Sequence, residues 1–202
     1  MRLLLETIKV WNGRLCNTTF HNVRFRRSAK EVFGWNTESL EELIRIPKEA
    51  QTGLYKCRII YGSCIERIEF HPYRLRPIQS LKIVAGDDID YSYKFENREA
   101  IERLFRLCGE CDDVLIIKNG YITDTSIANI AFYDGIKWIT PSSPLLKGTQ
   151  REKLLSEGRI VEDDIKPLDL GVFKKARLFN AMIDFGEIEL PVQNIMAPEL
   201  RA

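Results

Sequence analysis

The stretch from Ile122 to Arg151 dictates a local architecture. It reads as a polar loop around Asp124, an apolar strand ending at Phe132, a tight turn at Asp134-Gly135, a second strand through Trp138, and a glycine, Gly148, opening a helix. Asp-Gly between two apolar runs is a strong hairpin signal. The hairpin would carry a carboxylate, Asp124, and small polar residues on the same folded piece as Gly148-Thr149-Gln150. Such a piece suits a ligand with a cationic group at one end and an anionic group at the other.

The rest of the chain is long enough for a sizeable core, in one large domain or two small ones. With 45% hydrophobic and 29% charged residues it has the make-up of a soluble globular protein. Thirty basic and 29 acidic residues leave a net charge of +1, which gives no electrostatic reason to expect a nucleic-acid partner. No apolar run reaches the roughly 20 residues that span a bilayer, and Glu6 interrupts what a signal peptide would need as its apolar core. A cytoplasmic location, without membrane or nucleic acid, is the expectation. Five cysteines, an odd number, fit reduced thiols better than a disulfide framework. Cys108-Gly-Glu-Cys111 has metal-ligand spacing but lacks a second pair, so it reads as a turn between a helix and a strand, with no metal site.

In chain order, Leu3–Val10 and Arg14–Phe20 flank Trp11-Asn12-Gly13, and Asn-Gly is the preferred two-residue hairpin turn. His21–Phe33 follows at helical spacing, with Val23, Ala29, Val32 and Phe33 as its apolar residues, and stops at Gly34. A second short helix starts at Ser39, which can form a capping box with Glu42, or at Thr37. Leu54–Tyr61 and Ile65–Phe70 are strands. The segment from His71 to Pro77 suits an extended crossover and a domain boundary, giving a small α+β domain over 1–76 and a larger one over 77–202. The second opens with a strand at Ser80–Val84. A helix over Arg98–Leu107, capped by Asn97, leads to a strand at Asp113–Lys118. After the hairpin come a helix at Thr149–Ser156, a strand at Arg159–Ile165, and an antiparallel pair, Lys175–Ile183 with Glu187–Val192. The overall class is α+β.

Several residues could carry chemistry, and each also has a plain structural reading. Lys94 sits among Tyr91, Tyr93 and Phe95. An aromatic, partly desolvated surround lowers a lysine pKa, as a Schiff-base lysine requires, although most lysines are simply solvated. Arg24, beside Arg26 and Arg27, is either a phosphate ligand or part of a solvated face. Gly148-Thr149-Gln150-Arg151 is an anion-binding helix start or an ordinary loop-to-helix turn. Asp124 could equally be a turn residue. Asn180 is an amide inside an apolar strand and needs hydrogen-bond partners there.

Taken together and in order, these segments resemble the class IV pyridoxal-phosphate aminotransferases, or fold type IV. That family contains branched-chain and D-amino-acid aminotransferases and aminodeoxychorismate lyase. The resemblance runs from about Glu6 to Val192. His21-Asn-Val-Arg24-Phe25 is similar to the family segment that supplies the phosphate-binding arginine. Lys94-Phe-Glu-Asn97-Arg98 is similar to the lyase segment beginning with the lysine that attaches the cofactor. Asp124-Thr-Ser-Ile-Ala-Asn129 follows the frame of the carboxylate that contacts the pyridine nitrogen. Gly148-Thr149-Gln150-Arg151 matches the phosphate-binding helix start, and Asn180-Ala-Met-Ile resembles a lyase segment near the last phosphate-side contact. The carboxylate is Asp where Glu is usual. Gln150 stands where the family has threonine. A strand that family members carry before the equivalent of Leu3 is missing.

The resemblance implies a two-domain, D-amino-acid-aminotransferase-like α+β fold with a shortened N-terminal domain and pyridoxal 5'-phosphate as cofactor. It assigns Lys94 as the catalytic residue in the larger domain, and Arg24, Lys94, Asp124, Ser126, Thr149, Gln150 and Asn180 as cofactor-binding. Tyr55 and Arg58, on a strand that could face the cleft or merely form a sheet-edge pair, are the candidates for the carboxylate of a small amino-acid substrate. A homodimer is implied. The implied reaction is that of 4-amino-4-deoxychorismate lyase, a β-elimination releasing pyruvate. An amino-acid transaminase is the alternative, and a non-catalytic family relic is the third reading.

Overall fold

In the computed structural model, which describes residues 2–197, the first unit is built on one strand. Alternate residues of β1 (Leu4–Trp11) turn Leu4, Glu6, Ile8 and Val10 onto a buried face. The Asn12-Gly13 turn, with φ of 46° and 72°, folds β1 back onto β2 (Arg14–Leu15). Both φ values are positive, as a primed hairpin turn requires. The strand predicted after this turn stops at Leu15, because α1 (Thr18–Ser28) already begins at Thr18.

In α1 the buried residues are His21, Arg24, Phe25 and Ser28. That is the i, i+3, i+4, i+7 stripe of a helix face, but three of its four members, His21, Arg24 and Ser28, are polar. Val23, predicted to face inward, is 64% exposed. A single wide turn, Ala29–Phe33, extends α1 to Gly34, whose φ of 78° ends it. The short helix α2 (Leu40–Leu43) starts from Ser39, which forms the capping box with Glu42. Next, β3 (Leu54–Tyr61) and β4 (Ile65–Pro72) complete a sheet of order β2-β1-β3-β4. Its core gathers Leu4, Ile8, Phe25, Cys57, Ile59 and Tyr61.

Among the described residues the first unit comprises 2–75 with Tyr93–Asn97, and the second comprises Arg76–Ser92 with 98–197. The segment carrying Lys94 is therefore grouped with the first unit. It is tied there by backbone, since the Leu5 amide donates to the Lys94 carbonyl at 2.8 Å and Phe95 bridges to Leu4.

In the second unit β5 (Leu81–Ala85) crosses through α3 (Glu99–Phe105) to a parallel partner, β6 (Asp113–Lys118). Helix α3 starts one residue later than predicted and without a side-chain cap. The Asn119-Gly120 turn, φ 51° and 81°, leads to β7 (Tyr121–Thr125). The polar loop expected around Asp124 is thus a strand. Its polar side chains are buried and satisfied internally, as where Thr123 Oγ1 donates to the Ile116 carbonyl at 2.8 Å.

Strands β8 (Asn129–Tyr133) and β9 (Trp138–Pro141) form the expected hairpin. Its loop is longer than a two-residue turn. Asp134 Oδ1 accepts the Ile136 and Lys137 amides at 2.7 and 2.8 Å, closing a loop over 134–137. Helix α4 (Thr149–Ser156) follows, then β10 (Val161–Asp163), parallel to β9. Strands β11 (Lys175–Phe179) and β12 (Ile188–Pro191) pair antiparallel, and β13 (Ile195–Met196) runs beside β5. The two sheets have orders β10-β9-β8-β11-β12 and β13-β5-β6-β7, and one apolar core draws Leu81, Leu115 and Ile122 from one and Ile130, Phe132 and Leu178 from the other. Among the described residues no helix is long and apolar enough to cross a membrane.

Candidate active site

Two polar members of the α1 stripe, His21 and Arg24, meet the one acid on the inner face of β1. Arg24 Nε donates to Glu6 Oε1 at 2.8 Å and its Nη2 to Oε2 at 2.7 Å. His21 Nδ1 lies 2.7 Å from the same Oε2. Burial alone would push the Glu6 pKa up. The Arg24 charge and hydrogen bonds, with His21, outweigh it and hold the carboxyl down at about 2. His21 is held below its usual value, first by burial, with Glu6 opposing and the charges of Arg24 and Lys94 assisting. The imidazole is therefore neutral at pH 7, and against a carboxylate it carries its proton on Nδ1.

Lys94 is half-buried. Of its aromatic neighbours in this unit, Tyr93 and Phe95 pack on the core and on each other, edge to face with centroids 6.3 Å apart. Tyr93 Oη donates to Glu31 at 3.0 Å. Strand alternation puts Tyr55 and Arg58 on opposite faces of β3. Tyr55 packs on the core side with Cys57 and Ile59, whereas Arg58 Nη1 donates across the strands to Glu69 at 2.8 Å.

In the second unit β7 buries Asp124 almost completely. Asn129 Nδ2 donates to its Oδ1 at 2.7 Å, and the Leu146 amide donates to its Oδ2 at 3.0 Å. Asn129 Nδ2 also donates to the Leu146 carbonyl at 2.9 Å, so the three residues close a ring. Burial pushes the Asp124 pKa up to about 6, against the opposing effect of the Leu146 and Leu145 amides, the Asn129 amide and the Arg151 charge.

Gly148, extended with ψ of 143°, precedes α4 and supplies no side-chain cap. The first amides of any α-helix find no acceptor within it, and here they belong to buried Thr149, Gln150 and Arg151. Arg151 braces the helix start from behind, donating through Nη2 to the Pro141 carbonyl at 2.8 Å and to Glu162 at 2.5 Å. The loop after Asp124 is fastened at consecutive carbonyls. Arg98 Nη2 donates to Ser126 O at 2.6 Å and Asn180 Nδ2 to Ile127 O at 2.9 Å. Within the loop Thr125 Oγ1 accepts the Ala128 amide at 3.0 Å. The Ser126 hydroxyl turns to Asp113, a buried carboxyl whose pKa is raised by that burial. Asn180 itself lies just past the end of β11, where its Oδ1 accepts the Met182 and Ile183 amides at 2.7 and 3.0 Å.

The Amino-transferase class IV family model matches residues 96–190. An uncharacterised protein of Haemophilus influenzae is 42% identical over 182 residues, 89% of this chain and 97% of its own length. A crystal structure from Haemophilus somnus, provisionally named a 4-amino-4-deoxychorismate lyase, superposes with a TM-score of 0.85 at 34% identity, over 91% of this chain and 98% of that one. The chain belongs to the class IV aminotransferase family. A Mycobacterium tuberculosis aminotransferase of hypothetical assignment, in its PLP-bound form, shares the fold with a TM-score of 0.75 at 18% identity, over 98% of this chain and 84% of that one.

Class IV aminotransferases are pyridoxal-phosphate enzymes, and the donor set here suits that cofactor. A buried carboxylate fits a protonated ring nitrogen, and a helix start preceded by glycine fits a phosphate. The nearness of Gly148 to its surroundings fits as well, because an added Cβ would lie 2.0 Å from Asn129 Oδ1. Two functional-looking residues escape a reading by composition. Glu6 is an acid in the register of Leu4, Ile8 and Val10, and that alternation is visible in the sequence. Asn129 shows no such signal, because an amide at a strand start is ordinary.

Proposed function

We propose that this class IV aminotransferase family member is a pyridoxal-phosphate-dependent enzyme that acts on 4-amino-4-deoxychorismate, releasing pyruvate by β-elimination. The observation that carries the reading is the likeness to the Haemophilus somnus protein of that provisional name, at 34% identity over nearly its whole length. The buried Asp124 carboxylate supports it from the chain itself. The bound cofactor supplies an electron sink for charge that develops at the substrate α-carbon.

In this reading Lys94 would hold the cofactor through Nζ and, once the substrate's amine has displaced it there, would serve as the general base that takes the α-proton. Asp124 keeps the proton on the ring nitrogen. Arg24 and the amides of Thr149 and Gln150 hold the phosphate, and Ser126 and Asn180 stand with the cofactor-binding residues, the latter through the loop carbonyl it fastens. Of the candidates for the substrate carboxylate, Tyr55 and Arg58, the opposite faces they take on β3 let only one serve, and Arg58 is the one off the core side. Arg58 would have to exchange its Glu69 partner for substrate. The protein is expected to work as a homodimer.

Adding pyridoxal phosphate to wild-type protein should produce an absorption band at the edge of the visible that borohydride bleaches. Lys94→Ala should lack the band, and a wild type that takes up no cofactor overturns the reading. Incubation with aminodeoxychorismate should then release pyruvate. Amino transfer between amino-acid and keto-acid pairs without pyruvate release would replace the lyase with a transaminase.

A further inference from the structure

We propose that Asn129 is a positioning residue: its side-chain amide holds the Asp124 carboxylate on one side and fills the space against Gly148 on the other, so that the carboxylate and the start of α4 move as one piece. This rests on, and deepens, the reading in which Asp124 faces a ring nitrogen and the α4 amides face a phosphate.

Three observations carry it. Asn129 Nδ2 donates to Asp124 Oδ1 at 2.7 Å and to the Leu146 carbonyl at 2.9 Å, which spends both protons of the amide. The Leu146 amide returns to Asp124 Oδ2 at 3.0 Å, so neither the carboxylate nor the segment before Gly148 can shift without breaking a buried bond. On the far side, Oδ1 occupies the space a side chain at 148 would need, 2.0 Å from the built Cβ and with the side-chain Cγ at 3.2 Å. Contact under 3 Å with a doubly bonded amide leaves no cheap way to yield. A ligand with fixed separation between a ring nitrogen and a phosphate requires its two receptors at fixed separation, and Asn129 is the side chain that touches both.

The test is a mutant cycle read without cofactor. The protein is labelled at aspartate carboxyl carbon, Asp124 is assigned by its loss in Asp124→Asn, and its titration is followed by NMR. Burial, the Leu145 and Leu146 amides and the Arg151 charge all act on this carboxyl and are common to every variant. Asn129→Ala removes a donor to the charged form, so the midpoint should rise. Gly148→Ala leaves Asp124 and its partners chemically intact but drives the Asn129 amide away, so the midpoint should rise in the same direction. In Asn129→Ala/Gly148→Ala it should rise no further than in Asn129→Ala alone, because the route from 148 to 124 has been removed. An unmoved midpoint in Asn129→Ala overturns the proposal, and so does a Gly148→Ala shift that persists in the double variant. If Asn129→Ala fails to fold, Asn129→Ser, which keeps a hydroxyl but withdraws from Gly148, takes its place.

A second arm uses cofactor affinity. Asn129→Ala should weaken pyridoxal phosphate roughly tenfold or more, as loss of a hydrogen bond to a charged group does. The loss should shrink for an analogue with carbon in place of the ring nitrogen, and an equal loss for both overturns the route through Asp124. A wild type that binds no pyridoxal phosphate would overturn the functional reading and leave the first arm standing.

Discussion

Replacing Glu6 by glutamine tests the buried Glu6–His21–Arg24 cluster most directly. Glutamine keeps the size of the side chain and removes its charge, as protonation would. The carboxyl pKa falls from its ordinary 4.5 to about 2 in the folded protein. At about 1.4 kcal/mol per unit, the ionised form contributes about 3 kcal/mol of stability at neutral pH. That agrees with the roughly 3–5 kcal/mol lost when one partner of a buried ion pair is removed. The folded pKa is depressed, so the contribution is complete above the unfolded value and is lost as pH falls from 4.5 through 2. Glu6→Gln should therefore cost about 3 kcal/mol at pH 7 and lower the melting midpoint by about 6–12 °C for a chain of this size. It should also flatten the acid limb of the stability profile. The assay is urea unfolding between pH 2 and 7, followed by the emission of Trp35, which packs edge-on against Phe25 with centroids 6.2 Å apart, in a background where the other two tryptophans are replaced, Trp11→Phe/Trp138→Phe. A loss below 1 kcal/mol, or an acid limb in Glu6→Gln as steep as in the wild type, would refute the reasoning.

Asp124 should produce the opposite dependence. Its folded pKa is raised to about 6 from 3.8, so its contribution is complete below 3.8 and lost as pH rises through 6. The ligand-free second unit should lose about 3 kcal/mol over that window, and calorimetry of Asp124→Asn should show this slope gone. Arg151→Met orphans the Pro141 carbonyl and releases Glu162, and denaturant unfolding should show a loss of about 2–3 kcal/mol. Gly120→Ala meets no atom within 4 Å and carries only the strain of its φ of 81°, so the same measurement should give about 1–2 kcal/mol.

The turns and caps were the most legible parts of the chain, because their chemistry is local. Asn12-Gly13, the Ser39–Glu42 box and Gly148 before α4 all follow from what two to four residues can do on their own. The buried polar residues were not legible for the opposite reason. The segment from Ile122 to Thr125 looks like loop because polarity ordinarily means solvent, yet it pairs antiparallel with β6, and the hydrogen bonds of Thr123 and Asp124 to distant backbone let its polar side chains stay buried there. Val23 was placed inside α1 because it is apolar, whereas His21 and Arg24 take the inner face because Glu6 waits there on another element. The family resemblance named Arg24, Asp124 and Gly148, but that Glu6 holds Arg24 and Asn129 holds Asp124 emerges only from three-dimensional proximity.

The fastening of Ser126 and Ile127 by Arg98 and Asn180 bears on how the protein can vary. Two tethers from sequence-distant elements on adjacent carbonyls leave that bend no slack, so lengthening or shortening it by one residue would strip a donor from its acceptor. The loop over 134–137 is closed by contacts from within the hairpin itself, from Asp134 and from the adjacent Tyr133 hydroxyl to the Gly135 carbonyl, and can absorb insertions. Natural or engineered length changes in this hairpin region should therefore collect at its distal tip and spare the bend beside Asp124.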